Sequence, residues 1–289
     1  MARAAPIRAP ILPVPELLRR TRSLRAAEEA TKRFGLCALP RPEQINMLKR
    51  ARDLNQEKEP SGIAAEERAR LQRQAIDILV DGYDSSIAYL DDQIGRLFDE
   101  LRRRGLLKNT LVIITSDHGE HLQERGFTGH GLSLYRRELH VPLLVFPPRA
   151  APDHRVVAEP VNLRELPATV VDLLGLAGGS WPPFPGQSLA RFFQPGTPDA
   201  DSLIEPVLSQ VEHQTTIPPL PWVPASLGSV KALTTEREVY IRNSDGREEL
   251  YDRLNDPFES KNLITGDQQP GSLKRHREVL DRLLEKTVP

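Results

Sequence analysis

LVIITSDHGE, residues 111–120, joins an unbroken apolar run to a burst of ionisable side chains. A run of five apolar or β-branched residues closed by a serine reads as a short strand buried on both faces, as in parallel sheets. Upstream, Ile76, Leu79, Val80, Tyr83, Ile87, Leu90, Ile94, Leu97 and Leu101 recur at spacings of three and four. That stripe predicts an amphipathic helix over 65–104, with Asp81-Gly82 as a point of bending and Gly105 where a C-terminal cap belongs. Helix, short turn, buried strand and polar residues make one repeat of a doubly wound α/β sheet. Sites in such sheets gather at the carboxyl ends of strands, which is where Asp117 and His118 fall.

Working outward, HVPLLVF (140–146) predicts a second buried strand, and VNLRELPATVVDLLGL (161–176) a helix with Asn162 as its cap. WPPFPG (181–186) breaks the chain. Beyond residue 205 the pattern changes. EPVLSQV, GSVKALTTE, EVYIRN and EELYD read as short strands, with a hairpin turn at Ser244-Asp245-Gly246, and LKRHREVLDRLLEKT as a terminal helix. Three segments follow: an irregular, basic, proline-dotted stretch over 1–64, an α/β core over 65–195, and a small antiparallel α+β subdomain over 196–289.

Composition narrows the function classes. Thirty-nine basic against 40 acidic side chains give the 289-residue chain a net charge of -1, so no electrostatic case exists for nucleic acid or an anionic membrane. The 26 prolines, roughly 9% against an average near 5%, predict long ordered loops or some disorder. The single cysteine, Cys37, excludes an internal disulfide. No apolar run reaches the length of a membrane span. The N-terminal MARAAPIRAPILPVPELL starts basic, but four prolines cut its apolar part, so it makes a poor signal peptide and a soluble protein is expected.

Asp117 and His118 offer an oxygen and a nitrogen donor, which suit calcium, magnesium, manganese or zinc. Two ligands are too few for a hard cation, so others must come from elsewhere in the fold. His130, after the glycine-flanked RGFTGHG, could bind the metal, contact an anionic substrate or protonate a leaving group. A solvated loop with chance histidines is the competing reading. Glu120 and His121 read as loop residues or supports behind the ligands, and Asp84, Asp91 and Asp92 as a solvated helix face. Tyr135, Trp181 and Trp222 read as packing residues, His140 as structural, and His213 as a loop residue beside TTIPPLPW.

A resemblance adds to this. SDHGE followed by GHGLSLYRRELHVPLLV resembles the metal-binding segment of the sulfatase family, within the alkaline-phosphatase-like superfamily. YDSSIAYLDDQIGRLFDELRRRGLLKNT resembles the helix leading into it. ELPATVVDLLGL with PGQSL resembles the next helix and loop, and YIRNSDGREELYDRLNDPFESKNL the C-terminal hairpin. The segments fall in the family's order over about residues 66–289. The resemblance implies an incomplete alkaline-phosphatase-like core followed by the α+β subdomain. It implies a sulfuric-ester hydrolase with one divalent ion, usually calcium, and a formylglycine nucleophile. By the same resemblance Asp117 and His118 are metal ligands, and His130 stands where a residue touches the sulfate group or leaving oxygen. A small-molecule or carbohydrate sulfate ester is the implied substrate.

The formylglycine signature, C/S-x-P-x-R, does not occur in the chain. CALPR (37–41) puts its proline three residues after Cys37 rather than two, and Cys37 reads as a small apolar residue. The expectation is therefore the later half of a sulfatase, inactive alone, with the first half missing or supplied by a partner chain. A phosphonate or phosphate ester hydrolase of the same superfamily and a non-catalytic binding or scaffold protein are the alternatives.

Overall fold

The computed structural model describes residues 65–148, 156–176, 184–193, 206–265 and 270–287. Cys37, Trp181 and the segment 1–64 lie outside them. The chain divides into two compact units between Asn109 and Thr110.

In the first unit, α1 (Ala65–Arg103) runs for 39 residues without a break, through Asp81-Gly82. The sequence ending at Arg103 is rich in Ala, Leu, Arg, Glu and Gln and contains no proline, so nothing interrupts its ladder. Gly105, at φ 70°, turns the chain off the helix. Its N–H donates to the Arg102 carbonyl, and that of Leu106 to Leu101, the paired bonds of a left-handed glycine cap. A 3-10 turn, Leu107–Asn109, follows. The apolar stripe is not a covered face here: Leu79, Tyr83, Ile87, Leu90 and Leu97 are exposed. Asp84 and Asp91 lie in solvent as expected, whereas Asp92 is half-buried and pairs with Arg96 at 2.9 Å.

The second unit begins with β1 (Val112–Thr115), followed by β2 (His121–Leu122), β3 (Thr128–Gly129), the single turn α2 (Arg136–Leu139) and β4 (Leu143–Phe146). The two apolar runs do pair, but antiparallel, with Val112 opposite Phe146 and Thr115 opposite Leu143. The expected parallel, fully buried strand is thus corrected. Among the described residues this sheet has only two strands, so neither flank is closed and Val112, Ile113 and Ile114 stay half-buried.

A 3-10 turn at Leu163–Glu165 leads into α3 (Leu166–Leu173). Asn162 caps it as predicted. Its side chain accepts from the Arg164 N–H at 3.0 Å, and the Glu165 carboxylate accepts from the Asn162 N–H at 3.0 Å. The buried Thr169 hydroxyl donates to the Glu165 carbonyl and accepts from the Leu189 N–H, which ties the loop bearing PGQSL to α3.

The later strands form a meander, β5 (Val207–Val211), β6 (Val230–Thr234), β7 (Glu238–Asn243) and β8 (Glu248–Asp252), each antiparallel to the next. Gly246, at φ 86°, closes the predicted hairpin. Period-two alternation gives this sheet two apolar faces. Val230, Ala232, Val239, Ile241 and Tyr251 meet Phe127, Leu134 and Tyr135 on one side. Leu233, Tyr240 and Leu250 meet Leu273 and Leu280 of α4 (Leu273–Thr287) on the other. The sheet is therefore the floor on which the loop after β1 rests.

Candidate metal and anion site

The turn after β1 is shaped by its own hydrogen bonds. Asp117 accepts from the His118 N–H at 3.0 Å, and the Ser116 hydroxyl donates to the His118 carbonyl at 2.8 Å. Gly119 then docks on α2, its N–H donating to the Glu138 carbonyl at 2.7 Å. Any side chain at Gly119 would overlap the Arg137 carbonyl. That is why SDHGE carries glycine at this point.

The segment beyond Gly119 folds back as a hairpin that the sequence reading did not find. β2 and β3 pair His121 with Gly129 and Leu122 with Thr128. Extending that register by one residue sets Glu120 across from His130. The side chains meet: His130 Nδ1 lies 2.8 Å from Glu120 Oε2. A carboxylate oxygen accepts, so Nδ1 carries the hydrogen and Nε2 is the nitrogen left for a ligand. The His130 ring stacks on His118, centroids 3.9 Å apart and planes at 27°. Gly129 and Gly131, at φ 104° and 70°, flank His130 with backbone that other residues rarely adopt.

The three predicted residues thus come together at the end of β1. His118 Nε2 lies 3.7 Å from Asp117 Oδ2, and His130 covers the other imidazole. The Asp117 side chain is 87% exposed and that of His130 52%, so the site opens to solvent. The His118 N–H holds the Asp117 carboxyl below the usual carboxylate range. The Gly119 carbonyl, which accepts from His118 Nδ1 at 2.8 Å, pushes the imidazole above its ordinary value. An ionised carboxylate beside an imidazole with a fixed tautomer is a donor set for a divalent cation.

Beneath the site lies a polar cluster with no open face. His121 is fully buried, its Nε2 3.0 Å from the Ser133 hydroxyl and 3.3 Å from Glu138 Oε2. Burial would raise the Glu138 carboxyl, but hydrogen bonds from His121, Ser133 and the Leu132 N–H outweigh it, and the group lies below its usual range. His121 is thus a buried residue that ties the loop to Ser133 and Glu138. Glu120 is more than a loop residue, since its carboxylate holds the exposed His130 imidazole and lies within 4.8 Å of a His118 ring nitrogen.

Elsewhere the readings divide. Tyr135 packs in the core and also donates to Glu249 at 3.0 Å. His140 closes α2 through its backbone N–H. His213 bonds to the Ser226 carbonyl at 3.2 Å, a contact within its own loop region. Trp222, expected to pack, is 55% exposed.

The Sulfatase family model matches residues 48–176. The choline-sulfatase of Rhizobium meliloti (strain 1021) is 28% identical over 205 residues, covering 71% of this chain and 35% of that protein. The chain spans about a third of the length of the curated relatives it matches. The structure of BT4656 in complex with its substrate D-glucosamine-2-N,6-O-disulfate superposes with a TM-score of 0.56 at 21% identity, over 77% of this chain and 45% of that one. The phosphonate monoester hydrolase of Agrobacterium radiobacter superposes at 0.55 and 21% identity, over 73% of this chain and 41% of the other. At such identities the structures establish the fold, an alkaline-phosphatase-like α/β core. The matched segment contains the whole turn from Asp117 to His130 and both strands of the first sheet.

No helix among the described residues is long and apolar enough to cross a membrane.

Proposed function

We propose that this chain supplies the metal- and anion-facing part of a sulfuric-ester hydrolase site. The observation that carries the reading is the meeting of Asp117, His118 and His130 at the carboxyl end of β1, with His130 stacked 3.9 Å from His118. Asp117 and His118 would hold one divalent ion, with calcium favoured by the family and magnesium or manganese suited to the same donors. Such an ion, when bound, withdraws charge from the oxygens of a transferring sulfuryl group. His130 then faces the ester. Glu120 fixes its Nδ1–H, and Nε2 can meet the leaving oxygen or a sulfate oxygen.

The nucleophile belongs to a C/S-x-P-x-R signature absent from this sequence, so ion and anion binding without turnover is the outcome expected of the chain alone. Substrates of the carbohydrate sulfate class are in keeping with the disulfated glucosamine named for BT4656. The phosphonate monoester hydrolase fold keeps phosphate and phosphonate esters as a second reading.

Calcium titration of the purified chain tests the proposal. Saturable binding of one ion, lost in Asp117→Asn and in His118→Ala, is expected, with sulfate binding to the loaded chain in preference to phosphate. Calcium, magnesium and manganese binding that ignores Asp117→Asn would overturn the metal assignment. A preference for phosphate or methylphosphonate would move the reading to the second class.

A further inference from the structure

We infer that His118, Glu120 and His130 form a second, distinct cation site, built for a transition metal of the zinc class. One ligand atom from each of the three lies within 4.8 Å of the others. Two imidazole nitrogens and one carboxylate oxygen are the donors of zinc, copper and nickel centres, whereas calcium sites are dominated by oxygen donors and take at most a minority of nitrogen. Asp117, the oxygen donor of the proposed hydrolase site, is not part of this cluster.

Three features prepare it. The Gly119 carbonyl accepts from His118 Nδ1 at 2.8 Å, which leaves Nε2 with its lone pair. A carbonyl behind the far ring nitrogen is the arrangement that orients metal-ligating histidines. That carbonyl belongs to a residue docked on α2 through its N–H, so His118 is held from beneath. The β2–β3 register sets Glu120 opposite His130 without an induced change in the loop. In a tetrahedral zinc site with ligands at about 2.0–2.1 Å, donor atoms stand about 3.4 Å apart. Closing the 4.8 Å limit to that distance takes side-chain rotations that unstack the His118 and His130 rings, which both lie at the exposed surface. The hydrogen now between His130 Nδ1 and Glu120 Oε2 leaves to solvent if Nδ1 becomes the ligand. Three protein donors leave a fourth position for water.

Both sites need His118, so occupation is mutually exclusive. On the hydrolase reading, zinc would displace the divalent ion and act as an inhibitor. The zinc site itself does not depend on that reading.

Isothermal titration of the full chain with zinc chloride, with and without calcium, decides the matter. One zinc per chain is expected, with affinity lowered on the order of tenfold or more in both Glu120→Gln and His130→Ala and retained in Asp117→Asn. Calcium should bind with the opposite dependence, sensitive to Asp117→Asn and indifferent to Glu120→Gln. Circular dichroism of each variant identifies any folding loss, and His130→Asn replaces His130→Ala if that occurs. Absence of saturable zinc binding, or zinc binding that survives in both Glu120→Gln and His130→Ala, overturns the inference. In that event calcium binding sensitive to Asp117→Asn would leave the hydrolase reading intact. Loss of calcium binding with zinc binding preserved would do the reverse.

Discussion

Gly119 and Arg137 approach so closely that a methyl group on the glycine would lie 3.0 Å from the Arg137 carbonyl carbon and overlap its oxygen. The contact is backbone against backbone, so no side-chain rotation can relieve it. The same glycine donates to Glu138 and offers its carbonyl to His118. Gly119→Ala should therefore destabilise the second unit by about 2 kcal/mol or more and release the His118 ring. Urea unfolding would measure the first effect. The second should appear as a change in the His118 and His130 imidazole resonances, and their persistence would show that the stacked pair does not depend on this docking.

Glu138 is the buried anchor of the loop, and its carboxyl lies below its ordinary value of 4.5. A lowered carboxyl stabilises the fold above the unfolded value, and that contribution is lost as pH falls through the folded one. Glu138→Gln keeps the shape but loses the charge-assisted bonds, at a cost of about 2 kcal/mol at neutral pH. The gap between the two proteins should close as pH drops below 4.5. Denaturation midpoints over a pH series give the test, and a gap independent of pH would place the stabilisation elsewhere.

Local chemistry explains what the sequence revealed. Asn162, Gly105, Gly246 and the alternation along EVYIRN act within a few residues, and each does what its type predicts. The closeness of Asp117 and His118 was legible because both follow directly on a strand end, and that of His130 because it follows a glycine-flanked loop. Two features were not legible. The direction of pairing between Val112–Thr115 and Leu143–Phe146 is set by the path of the intervening chain, which hydrophobicity does not record. The hairpin that joins Glu120 to His130 rests on two residues per strand, too few for a period to show. Gly126 and Gly129, at positive φ, were its only local signal. The apolar stripe of α1 shows the converse: periodicity marks a face without saying that the described residues cover it.

Arg125 links the loop to the C-terminal segment. Its guanidinium sits 3.6 Å above the Tyr135 ring and donates to the carbonyl of Glu259, a residue at φ 51°. The Glu259 carboxylate in turn accepts from the Arg136 N–H at 2.9 Å. Arg125→Ala should cost about 2 kcal/mol, because a partly desolvated cation–π contact and a backbone bond are lost together. Arg125→Lys should recover little, since an ammonium lacks the planar face and fork. Thermal unfolding of the two variants measures this, and full recovery by lysine would mean that charge alone matters.

The terminal helix separates packing from surface charge. Leu280 is fully buried against the β6–β8 face, in the cluster of Leu233, Tyr240 and Leu250. Beside it, Arg242 pairs with Asp281 at 2.8 Å, but the Asp281 side chain is 57% exposed. Leu280→Ala removes apolar contacts and leaves a cavity, for a loss of about 3 kcal/mol. Arg242→Ala breaks only a solvated pair, for less than about 1 kcal/mol, and that loss should shrink further in high salt. Equilibrium unfolding at low and high ionic strength distinguishes them. If the arginine variant proved the weaker protein, α4 would be held by charge and not by its leucines.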